Sequence, residues 1–165
     1  MRYQQFPDEQ YDFVECLPRK LKMDVSMYLN ESKFSRVNFL SNKSQKFLYW
    51  ICPRLEYILY EANEYVYFED DDVDAIYFVI GGTAHYVLPQ FDDAEYILIN
   101  QGSEFGLIDI AIDSICKGIN VDVVNEIEDN IQRQFTIMAT AELELYTLSM
   151  KDLYDMNNDF SDLYI

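Results

Sequence analysis

The sequence is poor in glycine, cysteine, histidine and basic residues, and each scarcity excludes a class of site or partner. The 165 residues include 5 Gly, 3 Cys, 1 His and 12 Lys/Arg, against 30 Asp/Glu. The resulting net charge of −18 argues against nucleic-acid binding, which needs basic side chains to displace phosphate counterions. A single histidine cannot build a multi-histidine metal site, and three separated cysteines give neither a disulfide framework nor a Cys-x-x-Cys metal site.

Long apolar runs are also missing. The longest aliphatic or aromatic run, residues 47 to 52, is far shorter than the ~20 residues that span a bilayer. Residues 1 to 15 show no apolar core of a signal peptide, so we expect a cytosolic segment that does not itself enter a membrane. The 14 Tyr and 11 Phe nevertheless indicate a folded core, and a chain of this length can bury roughly 70% of its unfolded surface in one domain.

The charge divides the chain into two parts. Residues 1 to 54 carry nine basic and six acidic side chains, whereas residues 55 to 165 carry three basic and twenty-four acidic ones. We therefore expect the first part and the acidic remainder to attract each other, within one chain or between neighbouring chains, in a manner that salt weakens.

The first part is predicted to be helical. Leu21, Val25 and Leu29 recur at helical spacing after Pro18, a residue favoured at helix starts. Ser44 can cap a second helix that Pro53 would end. Residues 32 to 40, between the two, predict a short helix or a turn.

After residue 55 the period changes from helix to strand. Short segments rich in Tyr, Val, Ile and Phe alternate with turn residues. The predicted strands are residues 56–60, 64–68, 75–80, 83–88, 95–99, 135–140 and 142–148. Ser149, followed three residues later by Asp152, predicts a capped final helix. The pattern favours an α+β fold, with about seven short strands in an antiparallel roll or barrel and flanking helices.

Catalytic chemistry finds little support. The acidic run 70 to 74 is interpreted as a solvated turn rather than a calcium loop, because Ala75 and Gly81 stand where that loop needs Gly and Glu. His85 is expected to be an ordinary strand residue. No Ser, Cys or Asp has a recognisable base beside it, so we do not expect an enzyme.

The most informative segments are 102 to 111 and 133 to 139. In residues 102 to 111, glycines that follow a predicted strand allow a tight backbone turn, and a helix-like segment comes next. The main-chain N–H groups at the start of such a helix can bind an anion. Arg133, one of three basic residues after position 54, could complete a phosphate site with its planar fork. The alternative is an ordinary surface arginine.

At this point the sequence resembles a known family. The matching segments are residues 17–25 (Leu-Pro-x-x-Leu-x-x-x-Val), 37–40, 74–82, 102–106 (Gly-x-x-Phe-Gly), 133–139 (Arg-x-x-Thr-Ile-x-Ala) and 145–149. They resemble the cyclic-nucleotide-binding domain of voltage-gated-type (potassium or cyclic-nucleotide-gated) channels, with part of the helical C-linker.

The resemblance implies a helical C-linker-like segment at residues 1–40 and, at 41–165, a nucleotide-binding-type antiparallel β-roll (jelly roll) of about eight strands, with an insertion at about 113–132. The implied ligand is cAMP or cGMP, and no other cofactor or metal is implied. The implied ligand-binding residues of the phosphate cassette are Phe105, Gly106, Leu107, Arg133 and Gln134. The implied partners are the remainder of a membrane channel, at whose cytoplasmic face the domain would lie, and a possible homotetramer through the linker helices.

Three departures from the family pattern bear on function. Leu107 replaces the glutamate that takes the ribose hydroxyl, Gln134 replaces a small Thr or Ser, and the longer connection from Gly106 to Arg133 adds acids near an anion site. The sequence also stops before the family's lid helix. Two functions therefore stay open: a sensor that couples cyclic-nucleotide binding to gating, or a degenerate domain that binds no nucleotide and acts as a protein–protein or gating module.

The added segment carries its own prediction. Val123, Ile127 and Ile131 lie at helical spacing, so residues 120 to 131 are predicted to form a helix that packs beside Arg133.

Overall fold

The computed structural model describes residues 17–116 and 131–160, which form two antiparallel sheets flanked by helices. The helices are α1 (Arg19–Phe34), α2 (Asn38–Ser41), α3 (Gln45–Ile51), α4 (Leu107–Cys116) and α5 (Met150–Asp159), with 3-10 turns at Cys52–Arg54 and Pro89–Phe91. The strands are β1 (Glu56–Tyr60), β2 (Tyr65–Tyr67), β3 (Ala75–Gly81), β4 (Thr83–Leu88), β5 (Ala94–Asn100), β6 (Glu104–Phe105), β7 (Thr136–Ala139) and β8 (Leu143–Ser149).

The strands form two four-stranded sheets in which every neighbouring pair is antiparallel. The order β1-β8-β3-β6 forms what we call the covered sheet, and the order β2-β7-β4-β5 forms the open sheet. The predicted fold class, α+β with an antiparallel roll of eight strands and helices at both ends of the described chain, is confirmed.

Both faces of the covered sheet are buried. On β3, Phe78 and its alternate neighbours pack against the helices, while Tyr77 and Val79 face the open sheet. Six consecutive buried residues on this strand explain why residues 75–80 are a continuous apolar run rather than an alternating one. Tyr146 on β8 also joins the helix side, where its hydroxyl donates to Asn30 Oδ1 of α1 at 2.6 Å.

The open sheet is buried on its inner face and exposed along its edge strand β5, although the central strand β7 is buried at all four positions. Ala84, Ile99 and Ile137 point into the space between the sheets and are nearly inaccessible to solvent. The edge strand β5 leaves Leu98 half exposed on its outer face. Among the described residues, then, the apolar core has two layers: one between the sheets, and one between the covered sheet and the helices.

The local signals in the sequence place most elements correctly. Ser44 Oγ accepts from the Phe47 N–H at 3.3 Å, and Ser149 Oγ accepts from the Asp152 N–H at 3.1 Å, so both predicted caps are confirmed. Within residues 32 to 40, helix α1 extends to Phe34 and a separate single turn, α2, follows.

The predicted strands match to within two residues, but no sequence pattern indicates β6, which has only two residues. None of the helices in residues 17–116 and 131–160 combines the length and apolar character needed to cross a bilayer.

Candidate functional site

The candidate site lies where the turn after β5 leads through β6 into α4. Gly106 follows β6 with φ at +91°, a backbone conformation that residues with a side chain rarely adopt. A Cβ at this position would lie 2.8 Å from Arg133 Nη1. Both the backbone angle and the close contact therefore require glycine here.

Arg133 reaches this turn from the start of β7 and is completely buried. Its main chain is fixed on both sides, since its N–H donates to the Asp71 carbonyl at 2.8 Å and its carbonyl accepts from the Asp70 N–H at 2.9 Å. The acidic turn predicted from the sequence thus holds the arginine backbone in place.

The guanidinium of Arg133 already has anionic partners within the chain. Nη1 donates to Asp109 Oδ2 at 3.2 Å, and Nη2 donates to Asp74 Oδ1 at 3.1 Å and to the Ala75 carbonyl at 2.7 Å. The ring of Tyr67 lies 4.1 Å from the guanidinium carbon, which adds a cation–π contact. Nε has no hydrogen-bond partner among the described residues.

Asp109 is the partner that the sequence analysis did not identify. Its side chain is as fully buried as that of Arg133, and it lies in the first turn of α4, where the helix dipole favours a negative charge. Its second oxygen, Oδ1, accepts from the Gln134 main-chain N–H at 2.9 Å. One carboxylate therefore takes a guanidinium and a backbone amide, the donors expected to hold a phosphate.

A signal for this contact is present in the sequence. Asp109 is the third residue after Gly106, in the segment predicted to begin a helix, and Arg133 is one of few cations in the acidic part of the chain. The spacing of apolar residues does not predict that both charges are buried, because their burial depends on how α4 and the start of β7 pack together.

The structure brings some of the predicted site residues together around Asp109 and places the others elsewhere. Gly106, Arg133 and the backbone of Gln134 come together around Asp109, whereas the Gln134 side chain is exposed and donates to the Gln132 carbonyl at 3.2 Å. Phe105 instead lies in the core between the sheets, stacked on Tyr77 with ring centroids 4.9 Å apart.

Leu107 packs against the apolar layer under the helices. A ligand-binding role for the predicted site residues stays a prediction.

Two tyrosines complete the surroundings of the guanidinium. Burial raises the pKa of the Tyr67 hydroxyl, and the charge of Asp109 raises it further, although Arg133 opposes both effects. Burial likewise raises the pKa of Tyr77, with Asp74 adding to the shift. Both phenols are therefore neutral at physiological pH, so the charges of the site are those of Arg133 and its two carboxylates.

The structure also places the acidic run and His85, the other candidate residues. Three of the clustered aspartates, residues 70 to 72, are exposed, and no group of potential metal ligands forms among the described residues. Asp74 is also largely exposed, as expected of a solvated turn, and in addition pairs with Arg133. His85 is a half-buried strand residue whose Nε2 lies 3.4 Å from Glu95 Oε2.

The predicted helix over residues 120–131 lies outside the described residues except for its last position. Ile131 is buried and is not helical; its carbonyl accepts from the Val73 N–H at 2.7 Å.

Comparison with known proteins relates the chain to plant ion channels. It is 26% identical over 162 residues to the probable cyclic nucleotide-gated ion channel 5 of Arabidopsis thaliana, an alignment that covers 95% of this chain and 21% of that protein. The putative cyclic nucleotide-gated ion channel 8 of the same plant is 26% identical over 161 residues, 94% of this chain and 20% of that protein. A shorter alignment, 32% identical over 74 residues, covers 45% of this chain and 10% of the putative channel 9.

No protein-family model matches the sequence. The chain spans about a fifth of the length of the channels reported above. These relatives are ion channels and not enzymes. Over most of its length the chain is therefore a distant homologue of part of the plant cyclic nucleotide-gated ion channels.

Proposed function

We propose that the chain is a regulatory domain of a channel-like protein in which Asp109 takes the place of a nucleotide phosphate. The observation that carries this proposal is the buried contact of Arg133 Nη1 with Asp109 Oδ2, together with the bond from the Gln134 N–H to Asp109 Oδ1. Arg133 and the Gln134 main-chain N–H are the donors that a bound anion would need. Both already bind the Asp109 carboxylate of the same chain.

Displacing Asp109 would be costly. A phosphate that took over Arg133 would leave a buried carboxylate without its cation, and the phosphate would also lie close to that negative charge. Leu107 adds to the difficulty, because leucine cannot accept a hydrogen bond from a ribose hydroxyl. These arguments favour a domain that works without cyclic nucleotide, as a protein–protein or gating module.

A cyclic-nucleotide sensor is the second candidate. The names of the relatives and the contact between Gly106 and Arg133 favour it. It requires that cAMP or cGMP displace Asp109 from the guanidinium. In either case the partners that we propose are the rest of a channel and neighbouring copies joined through the linker helices at the cytoplasmic face of a membrane.

Calorimetric titration separates the two functions. We expect no saturable heat when the chain is titrated with cAMP or cGMP at millimolar concentration. Asp109→Asn keeps the side-chain volume but removes the competing charge, so this variant should gain binding of inorganic phosphate, whereas Asp74→Asn should not. Saturable heat in the wild-type chain that is lost in Arg133→Gln, with both proteins folded by circular dichroism, would overturn the proposal in favour of the sensor.

A further inference from the structure

The outer edge of the open sheet has no partner strand among the described residues. The strand order places β5 at this edge, where it pairs with β4 alone. Apart from the bonds to β4, no main-chain hydrogen bond joins residues 94 to 99 to another described segment. On an edge strand, the N–H and C=O groups that point away from the neighbouring strand can pair with another chain. β5 therefore presents an open row of main-chain donors and acceptors.

The strand lacks the usual features that keep an edge from pairing. Protected edge strands are short or carry Lys or Pro. With seven residues, β5 is longer than the other edge strands, β1, β2 and β6, which have five, three and two. It contains no Lys or Pro, and its register shift lies at Tyr96, so the pairing from Ile97 to Asn100 is regular. This edge is thus long and regular enough to accept a further strand.

Apolar side chains along β5 are exposed on both faces of the sheet. Tyr96, Ile97 and Leu98 are 44%, 51% and 50% exposed at successive positions. Ile97 lies opposite Tyr86 and Leu98 lies opposite His85, so the Ile97 and Leu98 side chains point to opposite faces. An added strand would cover apolar surface on each face, which favours its association.

The surroundings of this edge are acidic. Asp92 in the preceding turn and Glu95 on β5 are exposed. Burial and the nearby charge of Glu69 raise the pKa of the Tyr96 hydroxyl, so a third carboxylate lies close to the strand. None of the four described strands of the open sheet contains Lys or Arg. The edge therefore attracts a basic partner and repels a second copy of this chain, whose net charge is −18.

We propose that β5 binds a basic, extended segment of a protein partner, which joins the open sheet as a fifth strand. Main-chain hydrogen bonds to the edge provide affinity, and alternate side chains provide specificity. A segment in which Val or Ile alternates with Lys fits this edge, because its apolar side chains cover Ile97 and its ammonium groups are attracted by Asp92 and Glu95. The surface uses none of the contacts of Arg133, so the proposal holds whether or not a nucleotide binds there.

The test is fluorescence anisotropy of the labelled peptide Lys-Val-Lys-Ile-Lys-Val-Lys, titrated with the full chain. We expect saturable binding of one peptide per chain. The control peptide carries N-methyl groups on its three central residues, which removes donors from both of its edges and keeps every charge. It should bind roughly tenfold more weakly, because main-chain pairing is lost. Equal binding of the two peptides would show charge attraction alone and would overturn the proposal, as would the absence of saturable binding.

A matched pair of leucine variants locates the bound peptide. Leu98→Thr keeps a residue that favours strands but removes apolar surface at the edge, so it should weaken binding about fivefold. Leu21→Thr on α1 is the control, because Leu21 is 52% exposed, close to the value of Leu98. This control should change the affinity by less than about twofold. Equal losses in the two variants, both shown to be folded by circular dichroism, would place the peptide elsewhere and overturn the proposal.

Sedimentation equilibrium of the chain without peptide tests the alternative occupant, a second copy. We expect no self-association that depends on β5, because two acidic edges repel each other. A dimer that Leu98→Thr dissociates and Leu21→Thr leaves intact would show that β5 pairs with itself, and would overturn the proposal of a basic partner.

Discussion

The covered sheet and the open sheet have the same number of strands and the same antiparallel pairing, yet their sequences differ. In the covered sheet, β3 is buried at six consecutive positions because helices lie on one face and the open sheet on the other. In the open sheet, β5 is exposed at six of seven positions. The central strand β7 of the open sheet is also buried at all four positions, and the edge strand β1 of the covered sheet is not buried throughout. The burial of each strand therefore depends on its place within its sheet as well as on which sheet it belongs to.

The Arg133 ion pairs join these two sheets. Arg133 leads into β7 of the open sheet, while Asp74 and Ala75 lie at the start of β3 of the covered sheet, and Asp109 lies on the helix that follows β6. The contact between the two sheets at this point is thus made by charged side chains, beside residues of both apolar layers.

The largest effect is expected at this junction. Asp109→Ala should lower the free energy of unfolding by about 3–5 kcal/mol, because it leaves the buried Arg133 without its buried carboxylate. Asp74→Ala is the control and should cost less than about 1 kcal/mol, since the Asp74 side chain is 76% exposed. Urea unfolding measures both, and similar losses would show that the two ion pairs are equivalent.

The next effect compares two leucines on the outer faces of the two sheets. Leu148→Ala on β8 should destabilise the chain by about 2–5 kcal/mol, because Leu148 is completely buried under the helices. Leu98→Ala on β5 should change stability by less than about 0.5 kcal/mol, because half of Leu98 is exposed. Comparable losses in thermal or urea unfolding would mean that the open sheet is covered in solution.

A smaller effect concerns the helix that covers β8. Ser149→Ala should cost about 1 kcal/mol, because it removes the cap of α5, where Oγ also donates to Asp152 Oδ2 at 2.6 Å. The control is Ser41→Ala; this serine is exposed and its hydroxyl donates to the Asn38 carbonyl, and we expect a change below about 0.5 kcal/mol. The two melting curves, measured side by side, test whether the cap contributes to covering the sheet.

Alkaline pH should lower the free energy of unfolding through two ionisable groups on the helix side of the covered sheet, Cys52 and Tyr57. Burial raises the pKa of the Cys52 thiol to about 11, and burial together with Glu144 raises that of Tyr57 to about 12. In both groups the neutral form is favoured by folding, so their contribution is complete below about pH 9 and is lost as the pH rises through 11 to 12. Urea midpoints measured from pH 7 to 11 should be constant up to about pH 9 and should fall above it. A midpoint that rises above pH 9 would contradict this sign.

Features determined by local chemistry could be predicted from the sequence. The caps at Ser44 and Ser149 and the limits of β4 follow from residue types and spacing within a few positions. The general position of the Arg133 site also follows, because glycines and a lone arginine mark it.

The rest depends on contacts between distant segments. Asp109 and Arg133 are 24 positions apart, and only the packing of α4 against the start of β7 brings them together and removes both from water. β6 has two residues and exists only because β3 offers Tyr77 and Phe78 as partners. Neither feature has a periodic signal.

The hydrogen bond from Tyr146 to Asn30 gives α1 a fixed rotational setting. The bond is buried beside the apolar layer under the helices, and turning the helix by a single residue would move Asn30 about 100° around the helix axis and away from the phenol. A rotation of α1 about its own axis would therefore have to break this bond or move β8 with the helix.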